Sequence, residues 1–238
     1  MTNVTQLFDA QQPEQEAAAT SAAVEAIGRR ELIVLPTDTV YGIGADAFSP
    51  QAVAVLLAAK GRSRQSPPPV LIGNRQVLDA LAVDIPATAR ELAQHFWPGA
   101  LTLVLDAQPS LAWDLGETRG TVALRLPDDA LAQQILGQTG PLAVSSANRH
   151  GQPAATTIDE AQESLGEAVA VYINAGRRDD QQASTIVDCT VTPHRVLRAG
   201  AISTEQLRSV VADVLDIDDP APAADDHETP TSEDTQSL

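Results

Sequence analysis

The chain reads as an α/β protein: one layered domain built on a twisted mixed sheet flanked by helices. Two observations point there. Short apolar runs of strand length (ELIVL at 31–35, VLIG at 70–73, LTLVL at 101–105, TVALRL at 121–126, LAVSS at 142–146, AVAVYIN at 168–174, STIVD at 184–188, RVLR at 195–198) interleave with helical stretches and show no clean repeat. The 238 residues, 43% of them hydrophobic, are enough to bury one sizeable core. The expected organisation is a flexible polar segment at 1–12, a folded domain at 13–215 and an acidic, disordered tail at 216–238.

The helices follow from their ends. Pro13 to Ile27 is rich in Ala and Glu and stops at Gly28. Ser49 followed by Pro50 is an N-cap with a proline suited to the first turn, and that helix runs through Lys60 to Gly61. Residues 63–69 hold three consecutive prolines and cannot be regular structure. Helical patterns cover 75–82, 86–95 and 128–137. Thr157 with Glu160, and Ser203 with Gln206, form capping boxes for helices to about 165 and to Leu215. Residues 37–48 are expected to be a loop.

Charge and composition exclude several classes. The formal net charge is −17, and the eight acidic residues of 216–238 leave the remaining body acidic too. Such a surface disfavours a broad face for nucleic acid but allows a local basic cavity for one anionic ligand, so direct binding of nucleic acid is expected to be weak or absent. Cys189 stands alone and cannot form an internal disulfide, and residues 1–30 lack a signal pattern, which together point to the cytoplasm. No apolar run approaches a bilayer span. The histidines at 95, 150, 194 and 227 share no ligand spacing, so no tightly bound metal is expected.

Gly42-Ile43-Gly44 followed by Ala47 satisfies a loose dinucleotide pattern but stops short of the helix at Pro50, so tight packing of glycines is the better reading. Walker, nucleophile-elbow and zinc-peptidase motifs are absent. Other residues can carry chemistry. Lys60 is the only lysine and lies two residues before Arg62. It either completes a helix C-terminus or, with Arg62 and Arg64, clamps phosphate oxygens. Pro36 to Gly42 (PTDTVYG) and Ser145-Ser146-Ala147-Asn148 place hydroxyls, a carboxylate and an amide at strand ends, where they serve a ligand or their own turns. Arg125, inside an apolar strand, and Arg198 must be paired or face a cavity.

Taken in order, PTDTVYGIG at 36–44, AKGRSRQSP at 59–67, FWPGALTLVL at 96–105, TVALRLP at 121–127, SSANRHGQP at 145–153, STIVD at 184–188 and LRAG at 197–200 resemble the YrdC-like family, the threonylcarbamoyl-AMP synthases. The resemblance covers roughly residues 15–215 and looks like the short form without a further C-terminal domain. It implies an enzyme, a nucleotidyltransferase that joins L-threonine, bicarbonate or CO2 and ATP into L-threonylcarbamoyladenylate and releases pyrophosphate. Mg2+ would be carried in with ATP. Separate transferase proteins would then pass the threonylcarbamoyl group to tRNA. By the family pattern Thr39, Arg125, Ser145 and Ser184 match threonine-contacting positions. Arg62, Ser66, Thr121, Ala147, Ala155 and Arg198 match ATP-contacting ones, and Lys60 and Arg62 form the K-x-R signature expected to be catalytic. Asn148 is taken as a further substrate contact. This chain departs from many relatives at Ser63 (for proline), Ser66 (for asparagine) and Leu71, where an imidazole contact to threonine is lost. A non-catalytic RNA-binding module, or a carbamoyl-transfer enzyme of the same fold, is the alternative.

Overall fold

The computed structural model describes residues 5–178 and 182–220. The elements run β1 (Gln6–Asp9), α1 (Pro13–Gly28), β2 (Ile33–Leu35), β3 (Gly42–Asp46), α2 (Pro50–Lys60), β4 (Val70–Leu71), α3 (Leu78–Leu81), α4 (Ala87–Phe96), β5 (Leu101–Asp106), β6 (Thr121–Arg125), α5 (Ala130–Thr139), β7 (Leu142–Ser146), α6 (Ile158–Leu165), β8 (Val171–Asn174), β9 (Thr185–Asp188), β10 (Arg195–Arg198) and α7 (Thr204–Arg208). All ten strands join one sheet in the order β1-β8-β2-β3-β7-β4-β6-β5-β9-β10. Pairings β1/β8, β2/β8, β4/β6 and β5/β9 are parallel and the others antiparallel, so the mixed sheet is present.

Strand alternation sorts the side chains between layers. Ile33 and Leu35 of β2 pack with Ala19, Ala23 and Ile27 of α1 and with Ile135 and Leu136 of α5. Val34, between them in sequence, belongs instead to the layer of Leu56 from α2 and Ile158 and Leu165 from α6. A third cluster gathers Leu92 of α4, Leu101, Leu103 and Leu105 of β5, Trp97, and Leu207 of α7. Both faces of the central strands are thereby covered, which explains their nearly unbroken apolar runs.

Four expectations change. Residues 6–9, placed in a flexible segment, form β1, an edge strand paired in parallel with β8. Main-chain pairing holds this edge strand together with Phe8, which packs against the core beneath it. The 37–48 loop contains β3, a central antiparallel strand. Its sequence GIGAD hides this because the glycines face bulky neighbours; a Cβ on Gly42 would stand 2.6 Å from Val144 Cγ1. At the other end α7 stops at Arg208, short of Leu215. Residues 216–220, assigned to the disordered tail, are instead fastened to the domain. Arg195 Nη1 donates to the carbonyls of Asp216 at 3.0 Å and Asp219 at 2.8 Å, and Arg208 pairs with Asp219 at 2.6 Å. The rest of the expected tail, 221–238, lies outside the described residues.

The capping box at α6 is complete: the Thr157 hydroxyl accepts from Glu160 N at 3.3 Å and the Glu160 carboxylate accepts from Thr157 N at 3.2 Å. Thr157→Ala should therefore lower stability by about 1 kcal/mol in urea unfolding, with the slope unchanged.

Candidate active site

Loops and strand ends around β7, β4 and β6 enclose a cavity of about 230 Å3. Thr39, Arg62, Leu71, Arg125, Ser145, Ser184 and Arg198, each singled out from the sequence, all line it. Arg125 closes β6 and is largely withdrawn from water, with 8% of its side chain exposed. Its guanidinium is held on three sides: Nη2 pairs with Asp38 Oδ1 at 2.5 Å, Nη1 donates to Thr39 Oγ1 at 3.1 Å, and Nε donates to Gly99 O at 3.0 Å. Burial works against its charge and Asp38 favours it.

The loop that supplies Asp38 and Thr39 is stiffened from within. Thr37 Oγ1 donates to Val40 O at 2.6 Å and accepts from Thr39 N at 3.2 Å. Ala147 N donates to Tyr41 O at 2.8 Å, and Tyr41 N to Ala155 O at 3.0 Å.

Across the cavity Arg62 Nη1 donates to Ser145 Oγ at 3.3 Å, while Arg62 Nε is enclosed and has no hydrogen-bond partner. Arg198 reaches over from β10, donating from Nη2 to Ser184 O at 2.6 Å and Ser184 Oγ at 2.8 Å. Ser184 Oγ in turn lies 2.8 Å from Thr102 Oγ1. Gly200 lets this segment cross Ser184 closely, since a Cβ there would fall 2.3 Å from Ala183 O. The charge of Arg198 is disfavoured first by desolvation, then by the neighbouring guanidiniums of Arg125 and Arg62. The three arginines thus feel one another, and Asp38 is the carboxylate paired among them. A half-dry space with excess cationic charge selects an anion.

The other expected residues sit elsewhere. Thr121 lines an adjoining groove of about 640 Å3, which shares Pro67, Pro69 and Ile186 with the cavity. Ser66 is exposed on the proline-rich stretch and lines neither space. Ala147 and Ala155 are buried behind the wall, where their backbone holds Tyr41 in place. Asn148 is 6% exposed and its amide donates to Arg149 O and Gln152 O at 2.8 and 2.7 Å, so it builds its own loop instead of facing the cavity. Lys60 is fully enclosed and is not on the cavity wall; its ammonium is turned to the carbonyls of Ser146 and Asn148. Placing the lysine at a helix end could not reveal that the 146–150 turn covers it. Arg64 is also absent, being paired on the surface with Asp114 at 2.7 Å.

The sequence reading missed Thr102 and Arg178. Thr102, 1% exposed, was hidden in LTLVL, though a hydroxyl on the face opposite Leu101 and Leu103 was a usable signal. Arg178 donates to Thr37 O at 3.3 Å and pairs with Asp129 at 3.0 Å; nothing local in the sequence marks it. A second surface groove, along Arg149, Glu160, Glu163 and Arg177, mixes both signs of charge and concentrates neither.

Guanidiniums paired with hydroxyls around one cavity, at strand ends of a mixed sheet: these define an α/β protein built to hold a small anionic ligand. The chain belongs to the Sua5/YciO/YrdC family, described as telomere recombination, whose model matches residues 25–200. A Mycobacterium leprae relative is 50% identical over 211 residues, 89% of this chain and 96% of its own; its name, threonylcarbamoyl-AMP synthase, is given provisionally. The Bacillus subtilis threonylcarbamoyl-AMP synthase is 35% identical over 195 residues, 81% of this chain and 56% of its own. Among solved structures, Pyrococcus abyssi Sua5 complexed with L-threonine superposes with a TM-score of 0.83 at 31% identity, covering 90% of this chain and 62% of that one. The chain thus spans less than two thirds of those last two relatives.

Removing one partner of the buried Arg125–Asp38 pair strands the other charge. Arg125→Ala should cost roughly 3–5 kcal/mol of stability, and adding Asp38→Ala should recover part of the loss in a double-mutant cycle by chemical denaturation.

Proposed function

We propose that the chain is an L-threonylcarbamoyladenylate synthase, which condenses L-threonine, bicarbonate or CO2 and ATP and releases pyrophosphate. The observation that carries this reading is the meeting of Arg62, Arg125 and Arg198 at one small cavity, each beside a lining hydroxyl, those of Ser145, Thr39 and Ser184 respectively. The names of the relatives and the threonine complex of the Pyrococcus abyssi protein support it.

Threonine would lie with its carboxylate toward Arg125 and its hydroxyl among Thr39, Ser145 and Ser184. Leu71 and Val144 offer apolar wall for its methyl group. The triphosphate lies along Arg62 and Arg198, and the adenosine extends into the groove beside Thr121. The amine of threonine attacks CO2 and loses a proton, giving a carbamate. A carbamate oxygen then attacks the α-phosphorus of ATP, the bond from that phosphorus to the bridging oxygen breaks, and pyrophosphate leaves. The carbamate is already anionic, so the second step needs no base. It needs the charge on the phosphoryl and leaving groups neutralised, which the forked guanidiniums of Arg62 and Arg198 supply. Mg2+ enters with the nucleotide; among the described residues no cluster of three His, Cys, Asp or Glu side chains offers it a separate site. Enclosure also keeps the carbamate near ATP and away from bulk water.

The adenylate is then consumed by separate transferase proteins that modify tRNA beside the anticodon. No helix among the described residues is long and apolar enough to cross a membrane. We place this work in the cytoplasm, where ATP and tRNA meet.

Arg62→Ala and Arg198→Ala should each lower threonine-dependent pyrophosphate release at least about 100-fold while the melting temperature stays within a few degrees. Pyrophosphate release that proceeds equally well without threonine would sink the reading.

A further inference from the structure

Lys60 is the sole lysine of the chain and is 0% exposed. Its Nζ donates to the carbonyls of Ser146 and Asn148, the latter at 2.6 Å, with Asn148 Oδ1 at 3.4 Å and Ser146 Oγ at 3.5 Å. Its own carbonyl accepts from His150 N at 2.8 Å. The end of α2 and the 146–150 turn are therefore tied together twice. Ser146 is also a lining residue of the arginine cavity, so this tie sets one of its walls.

The tie has an unusual charge balance. No carboxylate lies within ion-pair distance of Nζ among the described residues. From the α2 side the charged neighbour is Arg62, a like charge. From the β7 side come neutral oxygens only. Arg149 and His150 of that turn are exposed, and Arg149 Nε is turned to Ser164 O at 2.9 Å. A buried ammonium with no counter-ion tends to lose its proton. Burial first, and Arg62 second, push Lys60 down to about 7.

A neutral amine has two N–H groups, and the carbonyls of Ser146 and Asn148 use both. An added proton supplies a third, for which Asn148 Oδ1 and Ser146 Oγ stand waiting. Resting on the nucleotide reading of the cavity, we propose that Lys60 is a positioning residue coupled to the substrate's charge: it pins the Ser146–Asn148 turn and takes up a proton when a triphosphate enters. The anion lies across the Ser146 wall and reverses the push that Arg62 exerts. Substrate charge would then tighten the wall that holds it.

The test is calorimetric titration of Mg2+-ATP into the full chain at pH 8 in buffers of different ionisation enthalpy. With its value pushed down to about 7, free Lys60 is mainly neutral there, so the wild type should take up protons on binding. Lys60→Met should abolish the uptake and weaken binding at least about tenfold. Lys60→Arg, always charged, should bind more tightly than Lys60→Met and without uptake. Wild-type binding with no proton exchange, or uptake that persists in Lys60→Met, overturns the proposal.

If ATP does not bind the wild type at all, the nucleotide reading fails, and the unliganded protein then decides the proton state of Lys60. Its value in the folded chain lies below the ordinary 10.5. The unfolded chain therefore binds more protons between those limits, and wild-type stability relative to Lys60→Met should rise from pH 7 to pH 10. A difference that is flat with pH overturns the proposal by that route as well.

Discussion

Arg125 is the constraint around which the site is arranged. A guanidinium at the end of a buried strand cannot be left without partners, and here each of its sides is taken: by Asp38, by Thr39 and by Gly99. Those partners come from the loop after β2 and from the turn before β5, elements far apart in sequence. The same contacts that neutralise Arg125 therefore also fix the loop that carries Thr39. One requirement of desolvation does the work of several separate restraints.

The remaining cations follow a different logic. Arg62 and Arg198 are tied to hydroxyls and to a carbonyl instead of carboxylates, and Arg62 Nε has no partner. Groups held by neutral acceptors keep their full charge available to a ligand, whereas Arg125 shares its charge with Asp38. Lys60 stands behind them, enclosed and turned to carbonyls. The cationic residues of the K-x-R segment are thus divided: Arg62 on the cavity, Lys60 in the wall and Arg64 on the surface with Asp114.

Much of this was readable from the chain. Arg125 declared itself because a charge inside TVALRL needs an explanation, and the caps of α2 and α6 formed at Ser49 and Thr157, where hydroxyl residues precede helical runs. The failures have physical causes. β1 is four residues long and only half apolar, QLFD, and is held at the sheet edge largely by main-chain pairing with β8. β3 is masked by glycines that exist to let Val144 and Leu35 approach. Asn148 and Ala147 share a motif with the cavity residue Ser145, yet the amide of Asn148 holds its own loop, and the backbones of Ala147 and Ala155 hold Tyr41.

Residue types and their order were enough to establish the alternating α/β layers, the caps, and which cations and hydroxyls were candidates for chemistry, because these rest on local backbone preferences and on the spacing of apolar side chains. Which candidates meet was settled only by the sheet. Strands β7, β4 and β6, brought side by side from separate parts of the chain, put Ser145, Leu71 and Arg125 around one space. The burial that followed enclosed Lys60, because desolvation depends on what packs over a side chain, and here that is a turn some 86 residues further along.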